Sequence, residues 1–124
     1  MQKFFIQFAA ISGLVAVSLG AFGAHALKDK LTSSGYLETF KTAVNYQFYH
    51  TLAILFVGIL AEKYPFTWIT YAGFSMMLGI LLFSGSLYIL SISGIKWLGA
   101  VTPLGGLAFI IGWFLLFLSI FKVA

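Results

Sequence analysis

Cysteine is missing from this 124-residue sequence, and charged residues are scarce at 8% of the chain. Without cysteine, disulfide exchange, thiol redox relays and thiolate metal sites are excluded, and so is the class of four-helix membrane enzymes that work through thiols. Arginine is missing as well, so the positive charge rests on seven lysines, against three carboxylates. Few charged groups therefore remain for any chemistry that needs them.

Apolar residues make up 61% of the sequence and aromatic residues 19%, which is far above the usage of a soluble domain. The charges leave uncharged stretches at 4–27, 42–61, 64–95 and 97–121. A helix needs about 20 mostly apolar residues to cross about 30 Å of hydrocarbon. The pattern predicts one all-α transmembrane domain over residues 1–124, an antiparallel four-helix bundle with spans at about 4–24, 42–61, 66–90 and 103–121.

The first loop contains the strongest local signals outside the spans. Leu27 and Leu31 are one helical turn apart beside the charged residues 28–30, which predicts a short interfacial helix. A new helix is expected near Ser34, with Glu38 in its first turn, where the helix dipole favours a negative charge.

The other two loops are short or weakly marked. Glu62–Pro65 is a tight connection that predicts antiparallel neighbours for the second and third helices. Thr102 and Pro103 are typical of an N-cap and a first-turn proline, with a kink at Pro103 inside a longer helix as the alternative.

Small residues recur at four-residue spacing on the first helix, at Ser12, Ala16, Gly20 and Ala24. Small side chains let two helices approach closely in a membrane. We therefore expect this face to be packed, and we predict a homo-oligomer built through such faces.

The lysines that flank the spans differ little in number between the two sides of the membrane. Loops one and three carry four lysines and the opposite side three, so the positive-inside rule favours cytoplasmic loops one and three. Ala24-His25-Ala26 imitates a signal-peptide cleavage site, but the apolar run before it is longer than the about 7 to 15 residues of a signal peptide. We expect the first span to be retained.

Polar residues within the spans gather on one side of the membrane. In an up-down-up-down bundle the end of helix one, the start of helix two, the end of helix three and the start of helix four share that side. Polar groups inside a span are costly unless they find partners, so each is a candidate for function, with interhelical hydrogen bonding as the structural alternative. The candidate ligand or polar cluster comprises His25, Tyr46, Gln47, Tyr49, His50, Ser84, Ser86, Tyr88 and Thr102.

These motifs also carry a family resemblance. Gly20-Ala-Phe-Gly-Ala-His25, Tyr46-Gln-Phe-Tyr-His50, Phe83-Ser-Gly-Ser-Leu-Tyr88, Thr102-Pro-Leu-Gly-Gly106 and Gly112-Trp113 resemble the small membrane proteins grouped as domain of unknown function 423. The resemblance implies a multi-pass protein of the bacterial plasma membrane with four spans. It implies neither a reaction nor a catalytic residue.

The residues favour binding over catalysis. Ser84 and Ser86 have no carboxylate in the same membrane half that could orient a histidine base, so we expect no enzyme and no catalytic residue. The lysines are spread over helix ends, where they can reach lipid head groups, so we expect no nucleic-acid partner, and we also expect no cofactor and no metal. We predict a binding or accessory module in the lipid bilayer that takes a lipid or a small amphipathic molecule. The alternatives are a small-molecule transporter, for which His25 or His50 would have to titrate, and a haem or metal protein ligated by both histidines.

Overall fold

The computed structural model describes residues 1–64 and 67–121, and the elements found there are all helical. A π-helical turn, Ile80–Ser84, joins two of the helices into one third span, and a 3₁₀ turn, Lys96–Ala100, precedes the last helix. The α-helices are α1 Gln2–Ala24, α2 Lys28–Ser34, α3 Leu37–Lys63, α4 Thr67–Gly79, α5 Gly85–Ser93 and α6 Thr102–Phe121. The prediction of four spans is confirmed, because four described segments are long and apolar enough to cross a membrane.

Side-chain contacts show that neighbouring spans run antiparallel. Near one end of the α1–α3 pair, Gln2 donates to the Glu62 carboxylate, and further along the Ser12 and Thr51 hydroxyls lie 2.7 Å apart. The third and fourth spans are also antiparallel, since Ser75 donates to the Ala108 carbonyl at 2.6 Å, while Ser86, later in the third span, pairs with Thr102, earlier in the fourth. The predicted antiparallel arrangement is confirmed.

The second and third spans form the centre of the bundle, and the first and fourth lie outside them. About 44% of each central span is buried, compared with 22% of the first and 28% of the fourth. At the second-loop end the first span touches the third, where the Phe5 ring lies 5.3 Å from the Phe74 ring. At the other end these two spans border a cleft, because α1 packs mainly on α3.

The short helix in the first loop is confirmed as α2. Leu31 anchors it, being 1% exposed, and Gly35 ends it with a left-handed φ of +82°, a conformation that glycine adopts without steric cost. The next helix begins at Leu37 and not near Ser34, because Ser34 is the last residue of α2. Glu38 lies in its first turn, as predicted.

The small-residue face of α1 packs against another helix of the same chain, but one of its predicted members, Ala24, does not belong to it. Ser12 and Ala16 are buried as expected, but Ala24 is exposed and Gly23 is buried in its place. Each four-residue step overshoots a full turn by about 40° because a turn takes 3.6 residues. The stripe drifts off the contact face by Ala24, and Gly23 lies against the Phe40 ring instead.

Helix ends and irregular turns account for the remaining differences. Thr102 is the first residue of α6 and its hydroxyl pairs with Ser86, so the predicted N-cap role is wrong, while Pro103 does lie in the first turn. The π-helical turn was not predicted, and it carries the third span on to Ser93. Phe66, the predicted start of this span, lies outside the described residues, as does Pro65 of the second loop.

Candidate functional site

A continuous run of side-chain hydrogen bonds crosses the first three spans. The Tyr88 hydroxyl donates to Gln47 Oε1 at 2.6 Å, and Gln47 Nε2 donates to both the carbonyl and the hydroxyl of Ser12 at 3.2 Å. The Ser12 hydroxyl then pairs with that of Thr51. We call these four residues the polar chain; Gln47 is its hub and is 4% exposed.

Serines of the third span tie it to its neighbours. Ser84, within the π-helical turn, donates to the Ala43 carbonyl of α3 at 2.8 Å. Ser86 and Thr102 share a hydrogen bond of 2.6 Å that joins the third span to the fourth. These two serines therefore act as links between helices.

His50 lies inside an aromatic stack that includes Tyr46, Phe83, Phe109 and Trp113. Its ring lies 3.5 Å from the Phe109 ring at an angle of 15°. Trp113 Nε1 can only donate, so the 3.0 Å bond makes His50 Nε2 the acceptor. His50 Nδ1 then carries the proton and donates to the Tyr46 carbonyl at 2.8 Å. Both ring nitrogens are occupied.

The other predicted cluster residues lie within this stack, at its edge or away from it. Tyr46 stacks on Phe83 with 4.5 Å between ring centres, and Tyr49, which is 58% exposed, has its ring centre 6.1 Å from that of Tyr46. His25 follows the end of α1, where it is exposed beside a shallow depression formed with Ser18, Phe22 and Ala26. The structure thus divides one predicted cluster into the polar chain, the interhelical links of Ser84, Ser86 and Thr102, the aromatic stack with Tyr49 at its edge, and the exposed His25.

The two histidines do not meet. Gly23, two residues before His25, packs against Phe40, and His50 is ten residues further along α3, or about 15 Å along the helix axis. His50 also directs both of its nitrogens to other partners. The prediction that both could ligate one haem or metal within a single chain is therefore wrong.

Sequence reasoning missed three hydrogen-bonding side chains of these networks, Ser12, Thr51 and Trp113, and two rings of the aromatic stack, Phe83 and Phe109. Thr51 lies four residues after Gln47, which places both on one helix face, so this spacing could have identified it. Ser12 was assigned to close packing alone, and Trp113 is a long-range partner that no local pattern indicates.

Buried polar atoms in the described part of the chain all have hydrogen-bond partners, so no orphaned group marks a ligand. What is open is a cleft of about 190 Å³ between the first and third spans. Val15 and Leu19 form its α1 side, and Leu81 lies on the opposite side. Gln47, Ser84 and Tyr88 also line it. We call this space the lateral cleft.

The polar groups that line the lateral cleft can still accept hydrogen bonds, although their hydroxyl protons are already used. Tyr88 and Ser84 both use their hydroxyl protons within the protein, but a hydroxyl oxygen also has two lone pairs. Gln47 Oε1 accepts one bond from Tyr88 and can accept another. Gln47 and Ser84 are only 4% and 1% exposed, so the half-buried Tyr88 is the most accessible of the three acceptors for a molecule that carries a donor.

Replacing Gln47 by leucine should lower the free energy of unfolding by about 2 kcal/mol, since three interhelical bonds of about 0.6 kcal/mol each are lost with little change in volume. Gln7→Leu is the matched control, because Gln7 is exposed on α1. Unfolding of the purified variants in mixed micelles with increasing SDS would measure the difference. Equal stabilities would show that the polar chain does not hold the spans together.

Comparisons with known proteins assign the chain to a family. A family model described as "Protein of unknown function (DUF423)" matches residues 19–106. The UPF0382 membrane protein YwdK of Bacillus subtilis is 50% identical over 122 residues, covering 98% of each chain. A UPF0382 membrane protein of Staphylococcus haemolyticus is 45% identical over 121 residues, again covering 98% of each. No solved structure matches significantly. The chain therefore belongs to the DUF423 family, the UPF0382 membrane proteins.

Proposed function

We propose that this protein is a non-enzymatic binding module of the bilayer whose lateral cleft takes an amphipathic molecule with a hydrogen-bond donor. One observation supports this most strongly: Gln47 of the second span and Ser84 and Tyr88 of the third, which are far from Gln47 in sequence, line the same opening between the first and third spans. A polar patch inside an apolar wall suits a ligand with one polar group and an apolar body.

The dimensions and chemistry of the cleft narrow the ligand. About 190 Å³ accommodates a small head group or a short chain segment. The available protein groups accept hydrogen bonds, so the ligand's polar group is a hydroxyl or an amine. The π-helical turn Ile80–Ser84 forms part of the wall, and such turns occur frequently at functional sites.

The positions of the carboxylates support binding over proton-coupled transport. Asp29 belongs to α2, Glu38 to the first turn of α3, and Glu62 to its end. A proton-coupled transporter normally places such a group within a span. The same positions leave no carboxylate to orient a catalytic histidine, which supports a role without catalysis.

Location and assembly complete the proposal. The relatives are bacterial and are named membrane proteins, which supports a multi-pass protein of the bacterial plasma membrane. Self-association stays a prediction, and it would need a surface other than the Ser12 and Ala16 face of α1, which is already buried within the chain. The expected lack of a nucleic-acid partner and of a cofactor also stays a prediction.

Filling the lateral cleft should weaken ligand binding. Val15→Phe puts a ring into the cleft, whereas Val17→Phe adds the same bulk on a more exposed face of α1, where Val17 is 61% exposed. A long-chain alcohol with a photoreactive diazirine is the probe. Because steric overlap of this kind costs about 1 to 3 kcal/mol, we expect Val15→Phe to reduce labelling about ten-fold and Val17→Phe to leave it unchanged.

The methyl ether of the same probe tests the hydrogen bond, since it fits the bilayer equally well but has no donor. Its labelling should be about five-fold weaker, because a net hydrogen bond is worth about 1 kcal/mol. Equal labelling of both phenylalanine variants would contradict the proposal, and so would labelled peptides that exclude residues 15–19 and 80–88.

A further inference from the structure

A second opening lies at the first-loop end of the α1–α3 pair and shares no residue with the lateral cleft. Gly20 and Ala24 line it from α1, and Val44 and Asn45 line it from α3. Its volume is about 310 Å³. A smaller space of about 160 Å³ adjoins it, bordered by Lys28 and Lys41. Gly23, Ala24, Leu37 and Lys41 line both spaces. We call the two together the end groove.

The end groove exists because α1 carries no bulky side chains there. Gly20 has no Cβ, and one placed there would lie 3.4 Å from Val44. Ala24 is small and exposed. The result is an apolar channel along two helices, open at its outer end towards α2.

The mouth of the groove is positively charged. Lys28 is the first residue of α2 and Lys41 lies in the second turn of α3. Lys41 has one acidic neighbour, Glu38 at 3.7 Å, but both side chains are well exposed, at 57% and 86%, and such surface pairs are weak. Both ammonium groups are therefore available to an anion.

We infer that the end groove binds an anionic phospholipid, with its phosphate between Lys28 and Lys41 and an acyl chain along Gly20, Ala24 and Val44. Asn45 follows Lys41 by one turn on the same helix face, so its amide lies deeper, at the level of the glycerol esters. The phosphate thus meets the two ammonium groups, the glycerol esters meet the amide, and the acyl chain meets the apolar surface.

Charge complementarity selects this occupant. A zwitterionic lipid carries its own cation next to the phosphate, which two lysines would repel. Free phosphate would gain nothing from the apolar channel behind the lysines. An anionic lipid uses both parts, and basic pockets between spans are typical binding sites for such head groups.

Native mass spectrometry of the full chain, with equal amounts of phosphatidylglycerol and phosphatidylcholine of the same chain length, tests the inference. We expect the phosphatidylglycerol complex to dominate. Lys28→Ala with Lys41→Ala should weaken it about 25-fold, at about five-fold for each lysine near the anionic head group. Lys30→Ala is the matched control, because Lys30 lies on α2 but does not line the groove, and it should leave binding unchanged.

Two further variants test the apolar channel and the positive charge of the end groove separately. Ala24→Phe keeps every lysine but fills the channel, and it should also lose phosphatidylglycerol. Glu38→Gln removes the acidic neighbour of Lys41 and should strengthen binding. The inference is overturned if Lys30→Ala weakens binding as much as the double variant, if Ala24→Phe binds normally, or if millimolar sodium phosphate displaces the lipid.

Discussion

Gly105→Ala is expected to lower the free energy of unfolding by about 3 kcal/mol or more. Gly105 is buried in the first turns of α6, where this helix crosses the π-helical turn of the third span. A Cβ here would overlap the backbone nitrogen of Phe83 and lie 2.7 Å from its Cα. Backbone atoms cannot rotate away as a side chain can, so the two spans would have to separate.

The neighbouring glycine is a matched control. A Cβ on Gly106 would lie 3.8 Å from the nearest ring atom of Phe83, which is ordinary van der Waals contact. Gly106→Ala should therefore be tolerated and should raise stability by about 0.4 to 1 kcal/mol, because alanine loses less backbone freedom than glycine in a helix. SDS titration of both variants in mixed micelles gives the comparison. If the two alanine variants unfold together, the close approach of α6 to the third span is wrong.

His50→Ala should be the second most damaging change, at about 3 kcal/mol, the range for removing a buried aromatic ring. It removes the ring stacked on Phe109 and leaves Trp113 Nε1 without its acceptor. Tyr49→Ala is the control on the next residue, since Tyr49 is 58% exposed, and we expect only a small loss there.

A second substitution at the same position separates packing from hydrogen bonding. His50→Phe keeps a ring against Phe109 but loses both nitrogen partners, the interhelical bond from Trp113 and the bond within α3 to the Tyr46 carbonyl, so the loss should be about 1 kcal/mol. Thermal unfolding in detergent would rank the variants as wild type, His50→Phe and then His50→Ala. A fully stable His50→Ala protein that no longer retains a small molecule would contradict the structural role and restore His50 as a ligand.

The helices themselves could be predicted closely from composition and from the residues that begin and end helices. Uncharged stretches of sufficient length, Glu38 in a first turn and Gly35 after a short amphipathic run each act locally, so their effects are visible in the sequence. The π-helical turn at Ile80–Ser84 could not be predicted in this way. It shifts the backbone within an apolar run that has no proline, and it lies where α6 packs closely against Phe83.

The candidate site, like the fold, could be predicted only in part from the sequence. Sequence alone determined that this chain crosses a membrane four times with neighbouring spans antiparallel, because hydrocarbon admits few charges and short loops impose antiparallel order. Only the tertiary structure decided which polar groups meet. Gln47 reaches Ser12 and Tyr88, His50 reaches Trp113, and His25 is left exposed at the end of α1. Helix rotation and the separation of the first span from the third control these contacts, and both follow from packing between segments far apart in the chain.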